Sequence, residues 1–439
     1  MSSSAAAASA AAVIALLLAA SDSAAAGPSP ASARVWRGTA GEDGALTFPE
    51  LLAQAPGGNA ALRELQSKAS NGVAFSGGGT RSFSVSIGYF LGLHELDLLR
   101  STRYISSVSG GTWAAAAYTY VNPSAGPHVA QNDTALLGAL LPPGALHWAA
   151  LDDVPPSSAR HCATVGVGAT PLTGAQYVTK IQESFLTPLG VAPGSSFSYD
   201  PQTAGDILRR NRHLAPSSLA LPRRRAWGAP PFLIMGITLM GPLSSAPLSL
   251  SHRTYTVFDA TPLYVGQARA QPVVFESRKA LDKRQQIPNA TLHVGGLIET
   301  FAVGGGAPSP GLNRSLSESV LTVPRPPRPF SLATAAAASS FFPGDVEGWL
   351  SKTIAEDLGF KLPLWPPAEA TPHATDMLIG DGGLAENTDL SSLLRRGVES
   401  IVLMQNSDTP LNPKWNASAR PPTSKDVDDE LAAFFGAYY

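Results

Sequence analysis

The sequence predicts an α/β fold around a central, mostly parallel sheet, with chemistry at the carboxyl ends of its strands. Three stretches carry that expectation. From Val73 the chain runs through a short apolar segment to Ser76, the loop GGGTRS, and an apolar helix-like run from about Phe83 to Leu99. A second β-type run, Tyr104 to Val108, then meets the break Gly110-Gly111 and the helix-like TWAAAAYTY. Strand, loop, helix, strand, turn, helix is how a parallel sheet with helical crossovers reads in sequence. Strand-like runs resume at PFLIMGITLMG and TYTVFDA, and the stretch from Asp376 to Asp408 reads strand, tight turn, short helix, strand. In open sheets of this kind functional groups gather outside the carboxyl ends of the strands.

The chain's 439 residues, 44% of them apolar, suffice for one large or two ordinary domains with substantial cores. With 31 basic and 33 acidic residues the net charge is −2, so nucleic acid is not an expected partner. One cysteine, Cys162, excludes an internal disulfide and a cysteine-based zinc cluster; the eight histidines show no metal-ligand spacing. Neither a metal nor a cofactor is expected.

Residues 1–26 hold an apolar run, Ala11 to Ala20, too short for a comfortable membrane span and followed by small residues. This reads as a secretory signal peptide without the usual basic start; a disordered Ala-rich leader or a plastid-type transit segment is the competing reading. Sequons at Asn132, Asn289, Asn313 and Asn416 agree with a secretory lumen. Residues 27–70 read as a variable lead-in ending in the helical ALRELQSKAS, and 71–410 as the catalytic block. Within it, 122–225 is rich in Pro, Gly and Ser with two helical islands, GAQYVTKIQESFL and GDILRRNRHL, and reads as a cap or lid insertion. Residues 411–439 form a tail.

Three motifs point to acyl transfer. In VAFSGGGTRS, the consecutive Gly77, Gly78 and Gly79 let backbone N–H groups converge, because no Cβ blocks approach or forbids positive φ. The Walker and dinucleotide patterns are both incomplete here, which leaves an oxyanion hole as the better use, with Arg81 adding positive charge at the same mouth. In YISSVSGGTW, Ser109 stands at a strand-to-helix corner, followed at once by Gly110 and Gly111, as a nucleophile elbow requires. Serine needs a base. No histidine follows Asp381, so the usual Ser, acid, His order of α/β-hydrolases fails, although His161 or His373 could still serve from elsewhere. Asp381, in LIGDGG at the end of an apolar strand, is the alternative base, strengthened if burial raises its pKa.

Together SGGGTR (76–81), SVSGGTW (107–113), YTVFDATPLYVG (255–266) and DGGLAENTDLSSLLRRGVESIVL (381–403) resemble the catalytic domain of cytosolic (group IV) phospholipase A2 and fungal lysophospholipases, within the patatin-like superfamily. The resemblance covers roughly residues 70–410 and implies a three-layer sandwich. It implies Ser109 as nucleophile, Asp381 as base, Gly78 and Gly79 as oxyanion donors, and Arg81 facing a lipid phosphate or the oxyanion. It also implies a calcium-independent step and structural roles for Asn387 and Leu390, with AAAASSFFP (335–343) lining the pocket. Ser107 occupies a position where the family has glycine and marks the place to look for strain.

The expected activity is therefore hydrolysis of phospholipid or lysophospholipid acyl esters at a membrane or lipid interface. Arg223, Arg224 and Arg225 beside Trp227 have the composition of an anionic-headgroup contact and equally that of a basic surface loop. Two other functions fit the same residues: a catalytically inactive lipid-binding or storage protein, and an esterase of galactolipids or neutral lipids.

Overall fold

The computed structural model describes residues 30–38, 46, 48–52, 59–138, 173–248, 255–275, 289–308, 318–342, 352–367, 369, 371–407, 409, 411–416 and 418–434. The leader, His161, Cys162, Asn313 and the middle of the insertion lie outside them. The strands of the main sheet are β1 (Ala31–Trp36), β2 (Asn71–Phe75), β3 (Tyr104–Ser107), β4 (Phe232–Pro242), β5 (Thr256–Ala260), β6 (Tyr264–Phe275), β7 (Ala290–Glu299), β8 (Glu318–Val323), β9 (Lys361–Leu364), β10 (Thr375–Asp381) and β11 (Ser400–Met404); two further short strands, Ser196–Phe197 and Leu219–Ala220, pair only with each other. The helices used below are α1 (Ala60–Ser67), α2 (Gly79–Glu95), α3 (Gly110–Tyr120), α4 (Gly174–Ile181), α5 (Pro201–Arg210), α6 (Leu332–Ala338), α7 (Leu390–Leu394) and α8 (Asp429–Phe434).

All eleven strands join one sheet in the order β8-β1-β7-β6-β5-β4-β3-β2-β11, with β10 also on β4 and β9 beyond β10. The sheet is mixed. Its parallel part is β11-β2-β3-β4, the part read from the alternating motifs; the ladders beyond β4 are antiparallel. β1 lies in the lead-in, so residues ahead of 71 belong to the same sheet.

The layering follows from the two-residue period of the strands. Val73, Phe75, Ile105, Leu233, Met235 and Ile237 face one apolar layer with α2, α3, α4 and α6. Their neighbours Ala74, Tyr104, Phe232 and Ile234 face the other, with Leu62 and Leu65 of α1 and Leu393 of α7. With both faces covered β4 carries a single polar residue, Thr238, as buried sheets require, whereas β3 ends in Ser106 and Ser107. The result is the three-layer α/β/α arrangement expected from the sequence. α3 is buried along all eleven residues, which its run of alanines permits by keeping the helix thin where it is packed on every side. Phe75 stacks on Phe90, and Phe90 on Tyr118, each at 4.4 Å, tying β2 to α2 and α2 to α3.

β4 makes a division of labour along its length. Phe232 to Met235 pair with β3 in parallel, and Ile237 to Pro242 pair with β10 antiparallel. β3 and β10 therefore approach each other end to end along one side of β4, meeting near Gly236. The β4–β10 ladder shifts register between Leu378 and Ile379, so that Asp381 stands opposite Ile237.

The basic cluster at 223–225 belongs to the fold. Arg225 is buried, its guanidinium donates to Asp133 at 2.9 Å and lies 3.8 Å from the centre of the Tyr118 ring; Arg223 pairs with the same carboxylate at 3.1 Å. Arg224 alone is exposed. The reading as a basic surface loop is thus corrected as well as the membrane reading: two of the three cations neutralise a buried aspartate. Arg225→Ala should lower stability by about 3 kcal/mol, since it strips a buried charge of a partner, whereas Arg224→Ala should change it by less than ~0.5 kcal/mol; urea unfolding followed by tryptophan fluorescence checks the contrast.

Candidate active site

The end-to-end strands deliver two side chains to one point. Ser109, two residues past β3, has φ 54° and ψ −127°, a region that serine avoids. Its Oγ donates to Asp381 Oδ2 at 2.7 Å, across 272 positions of sequence. Asp381 is the last residue of β10, and its other oxygen, Oδ1, accepts from the Gly383 N–H at 2.9 Å. Among the described residues no cation compensates it: burial raises its pKa to about 6, opposed by the bonds from Ser109 and Gly383. A carboxylate of that basicity, already bonded to a hydroxyl, is placed to take its proton.

The strain falls on Ser109 and not on Ser107. Ser107 completes β3, donates its Oγ to the Ile234 carbonyl at 3.1 Å and its N–H to Asp389 Oδ2 at 2.8 Å. The hydroxyl at this position thus has a partner in the neighbouring strand, and the expected strain at Ser107 is absent.

The glycines divide by function. Gly77 donates its N–H to the Asn387 carbonyl at 2.9 Å, so that amide is committed to holding the loop. Gly78 and Gly79, with φ 130° and 61°, turn the chain into α2 and line the cleft beside Ser109. α2 consequently starts at Gly79, four residues ahead of the sequence expectation, and brings the positive end of a 17-residue helix to the cleft. Gly110 cannot carry a side chain because a Cβ there would run into the Gly79 backbone, and one at Gly111 would meet the Ser76 carbonyl at 2.7 Å. Both elbow glycines are close-approach positions, and the two loops are packed as one unit. Arg81, on the first turn of α2, is exposed and is not among the residues that line the cleft.

The AAAASSFF segment bridges the two loops. Ser339 O accepts from the N–H groups of Ser109 and Gly382 at 2.9 and 3.0 Å, and Phe341 O accepts from Asp381 N–H at 3.1 Å. Ser340 Oγ accepts from Trp113 Nε1 at 2.9 Å, and Tyr177 OH donates to Ser340 O at 2.8 Å. Ser339, Ser340, Trp113 and Tyr177 therefore belong to the site; the two serines lie in the segment 335–343 that the sequence resemblance placed at the pocket, whereas Trp113 and Tyr177 were not singled out by it. Asn387 lies beside the dyad, while Leu390 begins α7.

The cleft has a volume of about 510 Å³; Trp113, Tyr177, Phe342 and Leu384 give it an apolar side, with Phe342 47% exposed at its mouth. His373 lies elsewhere, exposed on the rim of a separate apolar cavity of about 200 Å³ that shares no lining residue with the cleft.

Among solved structures the chain is similar to human GIVD cytosolic phospholipase A2, at 13% identity and a TM-score of 0.37, over 75% of this chain and 44% of that one. It is similar also to the same human protein in complex with methyl gamma-linolenyl fluorophosphonate, at 17% identity and a TM-score of 0.33, over 77% and 40% of the two chains. The chain thus spans less than half the length of the structures it matches. No family model and no curated protein matches it.

Asp381 supplies a pH signature. Reaction of Ser109 with a fluorophosphonate should slow about tenfold per pH unit below about pH 6 as the carboxylate is protonated; a rate unchanged between pH 7.5 and 4.5 would exclude Asp381 as base. Unfolded, Asp381 ionises near pH 4, so folding takes up a proton between pH 4 and 6 and its contribution falls as pH rises through that window. Asp381→Asn should therefore raise stability at pH 8, by about 1–3 kcal/mol, in a thermal or urea melt.

Proposed function

We propose that the protein is a serine acyl hydrolase that cleaves fatty-acyl esters of phospholipids or lysophospholipids through a Ser109–Asp381 dyad and an acyl-enzyme. The observation that carries this reading is the 2.7 Å bond from a strained, cleft-lining serine to a buried carboxylate whose pKa burial has raised. Asp381 takes the Ser109 proton as Oγ attacks the ester carbonyl, and the N–H groups of Gly78 and Gly79 receive the developing oxyanion. The same proton passes to the leaving alcohol, and the acyl group stays on Ser109. Water then attacks the acyl-enzyme, giving a proton to Asp381 and, on collapse, recovering the Ser109 hydroxyl and a fatty acid.

The apolar side of the cleft supports an acyl-chain substrate, and half-exposed Phe342 supports contact with a lipid surface. A non-catalytic storage protein is the weaker reading, because it has no use for a serine held at φ 54° against a base. Asn132, Asn289 and Asn416 are exposed, which supports glycosylation in a secretory lumen.

A fluorophosphonate should label wild type at Ser109 and leave Ser109→Ala unlabelled. Asp381→Ala should cut hydrolysis of micellar lysophospholipid by about 10³-fold. Labelling that survives Ser109→Ala overturns the assignment.

A further inference from the structure

Residues from the far end of the chain complete the cleft. The segment after β11 is folded around Asp426, which accepts from Arg420 at 2.6 Å, Thr423 at 2.7 Å and Asn412 at 2.9 Å. Ser407 donates to Asp428 at 2.6 Å, and Asp428 accepts the Glu430 N–H at 3.0 Å. These bonds set Glu430, on α8, into the cleft wall beside Asn387.

The described lining then carries two carboxyl groups, Asp381 and Glu430, and no lysine, arginine or histidine. Glu430 Oε2 is buried and meets no hydrogen-bond donor among the described residues. The carboxyl group accepts one backbone bond, from the Asn387 N–H, and its charged neighbours are Asp428, Glu386 and Asp429. Burial first, and then the charges of Asp428 and Glu386, push its carboxyl up to about 7, so it is ionised at pH 8. The same lining holds the aromatic side chains of Trp113, Tyr177 and Phe342. A carboxylate with one oxygen unpaired, in a cleft lined by aromatic rings, attracts an ammonium group and repels a net anion.

We infer that Glu430 selects the headgroup, so that the cleft favours acyl esters whose alcohol portion bears an ammonium group over esters whose alcohol portion is net anionic. The inference rests on the acyl-hydrolase reading and names its substrate class. It adds a carboxylate to a mouth at which the sequence reading placed only the positive charge of Arg81.

The test compares 1-palmitoyl lysophosphatidylcholine with 1-palmitoyl lysophosphatidylglycerol, equal in acyl chain and phosphate, in neutral-detergent micelles at pH 8 with the full chain. Wild type should favour the choline lipid by about tenfold in kcat/KM. Glu430→Gln should reduce that ratio to within about threefold, and Glu430→Lys should bring it below one. Hydrolysis of p-nitrophenyl butyrate, which carries no headgroup, reports in parallel that each variant retains a working dyad. A wild-type ratio near one overturns the inference and leaves the hydrolase reading standing. So does an unchanged ratio in Glu430→Gln with p-nitrophenyl butyrate still turned over. Failure of wild type to turn over any ester overturns both.

Discussion

The register of β4 is the constraint on which the site depends. One face-buried strand holds β3 against its first half and β10 against its second, so two segments far apart in sequence are stopped end to end. Neither Ser109 nor Asp381 could find the other by local folding. A one-residue slip of either neighbour would turn its side chains to the opposite face. The packing of β4, buried along its whole length, resists such a slip, because each slip would expose apolar side chains or bury polar ones.

Three buried aspartates near this junction show how surroundings assign roles. Asp259 is bonded to Arg395, Arg396 and Ser392, and those partners overcome its burial and hold its pKa below the ordinary range. It remains a structural anion, joined through Arg396 to Glu50 at 2.9 Å. Asp389 accepts from Ser107 and Ser392, and burial beside Asp259 drives its pKa well up. Asp381 has only a hydroxyl and one amide as partners, and it alone lines the cleft. The same side chain serves as charged brace, as anchor of the elbow strand, and as a buried carboxylate of raised pKa bonded to a serine hydroxyl, according to which charges share its burial.

Much of this was legible in the sequence because its signals are local. Glycine runs after apolar segments announce turns, and alternating strand and helix patterns announce the parallel strands β2, β3 and β11 and their helices. Strand direction leaves no such trace: β10 reads as a short apolar run whether it lies parallel or antiparallel to β4. The amide of Gly77 looks identical to those of Gly78 and Gly79 until Asn387 is seen to claim it. Arg223 and Arg225 were misread for the same reason, since Asp133 lies 92 residues from Arg225. Glu430 was invisible, one acid among several in a tail.

The register shift between Leu378 and Ile379 leaves Met240 on β4 without a cross-strand partner in β10. That surplus residue moves Asp381 one place closer to the end of β3 than an unbroken ladder would allow. The separation between Ser109 and Asp381 thus depends on the number of residues in a strand as well as on the loops that carry them. A single-residue insertion or deletion at that kink would move the end of β10 by about 3.3 Å and also turn Asp381 to the other face, so the setting can change only together with the direction of the side chain, which no replacement at Ser109 or Asp381 could imitate.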